Sequence, residues 1–204
     1  MKRISWKVWG LTFLISSAAG AQGWRVSAGG AYLFPVAGLS NRFRPQVAFA
    51  VGMGKQRDER WYWGGRVDII RFTNQNQERL YAKNLQLELE IYGGAVEGLY
   101  GLTSFRRQLY PYLLGSAGVY RWFSSRGAYH DSTVTLREFK QQDWSWGFSG
   151  GAGLDYAILH SLALSVEARY QMVVGELWPA LAVRLENVST FQWVSVNAGV
   201  RISF

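Results

Sequence analysis

The chain has 204 residues, a formal charge of +8 and no cysteine, which excludes disulfides, thiolate metal sites, thiol nucleophiles and a lipidated N-terminal cysteine. Although 49% of its residues are hydrophobic, no apolar run approaches the ~18–20 residues of a spanning helix, so a membrane protein of this composition has to cross with strands. Aromatics at 16%, with 23 glycines against 4 prolines, point the same way, to β architecture with interfacial aromatic residues.

The first segment reads as a secretory leader. Lys2, Arg3 and Lys7 form a basic start, Trp9–Ile15 is a short apolar stretch, and Ser16–Ala21 is rich in small residues and ends Ala-Gly-Ala. Residues 1–21 are therefore expected to be removed between Ala21 and Gln22, leaving 22–204 as one domain. The remaining Lys and Arg are dispersed, so no nucleic-acid partner is expected. The polyanion that an exported barrel meets is phosphate-rich lipopolysaccharide, which is the expected lipid partner beside the bilayer itself.

Eight segments then alternate apolar and polar residues with the period of two that marks a strand. Trp24–Phe34 sets Trp24, Val26, Ala28, Tyr32 and Phe34 against Arg25, Ser27 and Gly29. Phe43–Met53 sets Phe43, Pro45, Val47, Phe49, Val51 and Met53 against Arg44, Gln46 and Ala48. In Trp61–Phe72, Trp61, Trp63, Val67 and Ile69 oppose Tyr62, Arg66 and Asp68. In the fourth segment Leu85, Leu87, Leu89 and Ile91 alternate with Gln86, Glu88, Glu90 and Tyr92. A helix would scatter those leucines around its circumference, whereas a strand places both carboxylates on one face. Gly93 and Gly94 are expected to mark a bulge. Tyr110–Phe123 follows, with Leu113, Gly115, Ala117 and Val119 outward, and the longest loop is expected over 124–142. Asp143–Ile158 opposes Trp144, Trp146, Phe148, Leu154 and Tyr156 to Ser145, Gly147, Ser149, Gly151, Gly153 and Asp155. Leu162–Val173 opposes Leu164, Val166, Ala168, Tyr170 and Met172 to Ser165, Glu167, Arg169 and Gln171. The eighth segment runs from about Phe191 to Phe204, with Val194, Val196, Ala198, Val200 and Ile202 against Ser195, Asn197, Gly199 and Arg201.

One apolar face per strand suits a soluble sandwich as well as a barrel. Strand length, aromatic residues near both strand ends and charges of both signs at mid-strand favour a membrane crossing, because unpaired charges are too costly for a dry sandwich core. The expected fold is thus all-β, an eight-stranded antiparallel up-and-down transmembrane barrel. Its interior is just wide enough for side chains to fill, so Arg66, Asp68, Glu88, Glu90, Asp155, Glu167, Arg169 and Arg201 are expected to form a packed polar network in the lumen. Arg201 should lie near Arg25 and take Asp155 or Glu97 as its acidic partner.

The terminal strand resembles the assembly signal of bacterial outer-membrane barrels: a polar residue, Gly two positions on, then two large apolar residues, the second closing the chain. Asn197, Gly199, Ile202 and Phe204 match it, and the resemblance implies the barrel-assembly machinery as a partner. Pro111–Arg121 (PYLLGSAGVYR), Gly150–Ala157 (GGAGLDYA) and Leu162–Tyr170 (LALSVEARY) look like strand motifs of the OmpA/OmpX/OmpW-like small outer-membrane β-barrels, and the resemblance covers 22–204. It implies an integral outer-membrane location and a monomer, with no particular activity.

Two chemistries compete with a plain barrel. His130-Asp131-Ser132 resembles the His-x-Ser motif of PagL-like lipid A deacylases, with Glu138 downstream, but Thr133-Val134-Thr135 stand where that family has Asn-Ala-Gly. OmpW-like passage of small hydrophobic molecules requires an apolar upper lumen, whereas the expected lumen is polar. Two separated histidines make no metal site, and no phosphate loop or dinucleotide fingerprint is present, so no cofactor is expected. The leading expectation is a non-enzymatic barrel whose extracellular loops serve surface interaction or envelope integrity.

Overall fold

A computed structural model describes residues 23–80, 85–105, 107–130, 135–174 and 190–204. The expected leader, residues 1–21, lies outside the described residues, as do Asp131 and Ser132. Ten strands are described: β1 Trp24–Pro35, β2 Gln46–Gln56, β3 Trp61–Phe72, β4 Leu87–Gly101, β5 Leu109–Arg126, β6 Tyr129–His130, β7 Thr135–Leu136, β8 Phe139–Leu159, β9 Leu162–Val174 and β10 Thr190–Ser203. Eight of them close an antiparallel barrel in the order β1-β10-β9-β8-β5-β4-β3-β2, while β6 and β7 form a two-residue ribbon between β5 and β8.

Closure is made by the first and last strands. Arg25 opposes Ser203, Gly29 opposes Gly199 and Pro35 opposes Trp193, so neither sheet edge is left open. The seam is fastened at its foot by Gly23 N–H donating to the Phe204 carbonyl (2.8 Å) and by Phe204 N–H donating to Trp24 (2.9 Å). Both chain ends described here share a rim with the short turns after β2, β4 and β8, whereas the C-terminal ends of β1, β3, β5 and β9 lie at the other rim, where the longer connections start. Short turns are periplasmic in outer-membrane barrels and long loops extracellular, which orients the molecule. Asp58 shapes the first short turn, accepting from the backbone N–H groups of Arg60 and Trp61 (both 2.8 Å). Those two donors hold its carboxyl below the usual carboxylate range.

The outer surface is apolar to a degree that only lipid explains. Phe49, Val51, Val67, Val96, Phe148 and Val166 all stand at least half exposed, far beyond the patch size that a water-facing protein tolerates. Aromatic residues border this belt at both ends. Trp61 stacks with Trp63 (6.1 Å) and packs on Tyr100 (4.9 Å) at the periplasmic end. Trp144 and Trp146, 63% and 67% exposed, mark the other. A closed barrel with such a belt is an integral outer-membrane protein.

The fourth segment reverses the expectation. β4 runs without interruption through Gly93 and Gly94, in even register with β3 and β5, so the expected bulge is absent there; the register shift lies between Ala157 and Leu159 of β8. Leu87, Leu89 and Ile91 point into the barrel and are fully buried with Leu85, while Glu88 and Glu90 face outward. The carboxylates are therefore not members of a lumen network. Both pair with Arg71, itself outward on β3, with Glu90 at 3.0 Å. The physical reason is depth. This part of β4 stands at the extracellular end, where the outer surface meets headgroups and water, and there charge belongs outside and leucine inside.

Two smaller corrections share that cause. Phe43 is not on the outer girdle: it precedes β2, is 1% exposed, and packs on Phe72 inside (5.5 Å). The loop expected over 124–142 is shorter, because β5 continues to Arg126 and β8 resumes at Phe139.

Inward glycines make room for rings. A Cβ on Gly93 would sit 2.1 Å from Tyr120, and one on Gly147 would sit 2.4 Å from the same ring. Outward Gly150, by contrast, has nothing within 4 Å of that position. Gly147→Val should therefore displace Tyr120 and lower stability by about 1–3 kcal/mol, whereas Gly150→Val should change it by less than about 0.5 kcal/mol. Urea midpoints from heat-modifiable gel mobility in liposomes test this, and equal midpoints for the two variants would contradict the packing.

Candidate functional site

The lumen is the most structured polar region of the molecule, and three layers fill it. The lowest, toward the periplasm, is a cluster of Tyr62, Leu99, Phe105, Tyr110, Tyr112 and Leu114. Phe105 belongs to the turn 102–108 and folds into the mouth, meeting Tyr110 edge-on at 5.2 Å.

The middle layer carries the charges. Glu167 on β9 is its centre. It ion-pairs with Arg169 at 2.6 Å, with Arg66 at 3.7 Å and with Arg201, and it accepts from the Tyr112 hydroxyl at 2.9 Å. Arg169 reaches across to Glu97 (2.5 Å), Arg201 to Asp155 (2.6 Å) and Arg66 to Asp68 (2.8 Å). Arg66 also donates to the Asn197 side chain at 3.2 Å. Strand periodicity aims these side chains inward: Glu167 and Arg169 are two apart on β9, Arg66 and Asp68 two apart on β3, and Arg201 and Asn197 four apart on β10. The voids beside them are small, about 30 Å³ and 10 Å³, against the ~10–15 Å³ that one water occupies.

Six of the eight expected network residues thus come together: Arg66, Asp68, Asp155, Glu167, Arg169 and Arg201. Glu88 and Glu90 do not. Of the two acidic partners expected for Arg201, Asp155 takes that place and Glu97 pairs with Arg169 instead; Tyr112 joins by donating to Glu167. Glu97 was legible in principle, since an unbroken β4 puts it on the face of Leu87 and Leu89.

The upper layer is apolar. Leu33, Ile70, Phe72, Leu87, Leu89, Ile91, Tyr120, Trp122, Phe191 and Trp193 fill it, none more than 3% exposed. The extracellular connections cap it with Leu39, beside a 3-10 turn at Ala37–Leu39, and with Phe43, Leu80 and Leu85. Two polar contacts lie within it, Trp122 Nε1 donating to Ser145 at 2.9 Å and Gln171 donating to the Tyr120 hydroxyl at 2.9 Å. The expectation of a polar lumen therefore holds only below this plug.

The other candidates fall outside the lumen. His130 on β6 places Nδ1 2.8 Å from the Thr135 hydroxyl on β7, and Glu138 pairs with Lys140 at 2.8 Å, which holds its carboxyl below the usual range. Among the described residues no cluster of His, Asp and Glu is arranged to hold a metal. Of the assembly-signal residues, Asn197 joins the network, Gly199 faces Gly29 across the seam, Ile202 points outward and Phe204 ends at the periplasmic rim.

Glu167→Gln removes the charge on which three arginines converge. Breaking a buried ion pair from one side costs about 3–5 kcal/mol, so this variant should lose its folded gel mobility at much lower urea than the parent. Glu88→Gln, at the exposed rim, should shift the midpoint by less than about 1 kcal/mol; a Glu167→Gln barrel as stable as the parent would show that the network contributes nothing to folding.

No protein-family model matches the chain, and no curated protein matches it. Solved structures do. Neisserial surface protein A aligns at 17% identity and a TM-score of 0.57, covering 90% of this chain and 98% of that one. The outer membrane protein OprG of Pseudomonas aeruginosa aligns at 12% identity and 0.54, covering 90% and 96%. Ail, the attachment invasion locus protein of Yersinia pestis, solved with the heparin analogue sucrose octasulfate, aligns at 11% identity and 0.52, covering 90% and 99%. At these identities the likeness is one of fold: the chain shares the closed eight-stranded architecture of small outer-membrane β-barrels, in keeping with its own closed barrel and lipid belt.

Proposed function

We propose that this barrel is non-enzymatic and non-conducting, and that it serves to hold its extracellular rim at the cell surface for surface interaction and envelope integrity. The observation that carries the reading is the lumen: a charged layer packed with voids of water size, closed above by a plug of fully buried Trp, Phe and Leu. An ion entering from the periplasm meets a packed, largely apolar barrier. In planar bilayers the refolded barrel is expected to give no stable conductance. A large, long-lived open state would overturn the reading.

A second reading has one observation in its favour. Passage of small hydrophobic molecules needs an apolar upper lumen, and the upper lumen is apolar. Its filling by Trp122, Phe191 and Trp193 favours the closed reading.

Lipopolysaccharide is the proposed surface partner, and Arg121 the proposed contact. It points outward at the extracellular interface, over the rings of Phe123 (5.0 Å) and Trp144 (5.5 Å), with Gln142 as hydrogen-bond acceptor. A cation lying on interfacial aromatics suits a phosphate at headgroup depth. The sulfated ligand of Ail lends the polyanion idea a parallel. The barrel-assembly machinery is the second proposed partner, through the strand ending in Phe204, after export directed by residues 1–21. Isolated outer membranes test both: Arg121→Ala should lower the lipopolysaccharide that co-purifies with the barrel, and deletion of Phe204 should lower barrel abundance without impairing refolding in vitro. Unchanged amounts would remove the corresponding partner.

A further inference from the structure

We propose that the periplasmic mouth of the barrel is a binding site for a small organic carboxylate, with Arg25 as its anion-binding group. Arg25 points inward from β1 and is 7% exposed. Each of the other three arginines of the lumen network has a carboxylate in contact, whereas Arg25 has none among the described residues. Asp155 of that layer is engaged by Arg201 at 2.6 Å, and Glu97 by Arg169 at 2.5 Å. Arg25 balances the layer's charge at long range without an ion pair of its own.

The contacts that Arg25 does make leave its Nη1 free. Its Nη2 donates to the Gln56 side chain at 2.7 Å, and its plane lies 4.4 Å over the ring of Phe105 and 5.8 Å from that of Tyr110. Among the described residues no group accepts from Nε or Nη1, and Nε is fully buried, so Nη1 is the donor a ligand can reach. A carboxylate can meet the guanidinium end-on, gaining Nη1 and sharing Nη2 with Gln56.

The space in front of that end suits an organic anion. A vestibule of about 750 Å³ opens at the periplasmic rim, lined by Arg25, Phe105, Tyr110, Gln56, Gln108 and His160. Its size is that of a small-molecule pocket. Two aromatic rings beside a single cation select a monoanion with an apolar body over a small, strongly hydrated inorganic ion. Gln108, held by its hydrogen bond to the Tyr156 hydroxyl at 2.8 Å, adds a polar wall at the entrance.

The test uses the folded barrel in nanodiscs, labelled with ¹⁵N-arginine, with the Arg25 Nε–H signal assigned by its loss in Arg25→Lys. Titration with benzoate should move this signal saturably. Benzyl alcohol, which lacks the charge, should leave it in place, and inorganic phosphate, which lacks the apolar body, should bind at least about tenfold more weakly. Phe105→Ala, a change in a turn outside the barrel wall, should weaken benzoate binding while folded gel mobility persists. No saturable shift, or an equal shift with benzyl alcohol, would show a guanidinium that is merely hydrated. Phosphate binding as tightly as benzoate would overturn the assigned ligand class.

Discussion

Glu167 is the point on which the interior depends. Three arginines from three strands, Arg66, Arg169 and Arg201, converge on one carboxylate, and Tyr112 donates to it from a fourth. Such a cluster is stable only when every member is present, since each charge is buried and its desolvation is offset by the others. It also ties β3, β5, β9 and β10 together across the lumen, and through Arg169–Glu97 it reaches β4. The backbone ladder fixes neighbours around the wall; the network fixes strands that are not neighbours.

The layers above and below follow from what each depth of the barrel faces. Within the bilayer the outer surface is apolar, so polarity has no place but the lumen. Beyond the bilayer the outer surface meets water, and the strands revert to the ordinary rule of apolar inside and charged outside. β4 shows both regimes in one strand. Glu97 points inward at membrane depth, and Glu88 and Glu90 point outward above it, with Gly93 and Gly94 between them in unbroken register. Parity makes this consistent: Leu87, Leu89, Ile91 and Glu97 share one face throughout. The apolar plug is then a consequence of strands that outlast the membrane, with Trp122, Phe191 and Trp193 filling the space that lipid no longer constrains.

That geometry bears on function. On the proposed reading, a lumen closed by an apolar plug at one end and holding small voids at its middle acts as a scaffold, and activity is to be sought at its two rims. The extracellular rim offers charged and aromatic groups to the headgroup region, and the periplasmic rim offers a vestibule with an arginine at its floor.

Much of this was legible in the sequence. Period-two alternation in eight segments, aromatic residues at both strand ends and charges of both signs at mid-strand were enough for the barrel, its closure by the first and last strands, and the lumen positions of Arg66, Asp68, Asp155, Glu167, Arg169 and Arg201. Alternation reports that a strand has two faces, because successive side chains point opposite ways. Where a strand leaves the bilayer, alternation does not report which face is inside, because lipid and a packed core select the same residue types. Only the tertiary structure decided that. The register of β4 against β3 and β5 assigned Leu87 and Leu89 to the interior, sent Glu88 and Glu90 to Arg71, and drew Phe43 inward, since depth relative to the bilayer is a property of the assembled barrel and of no single strand.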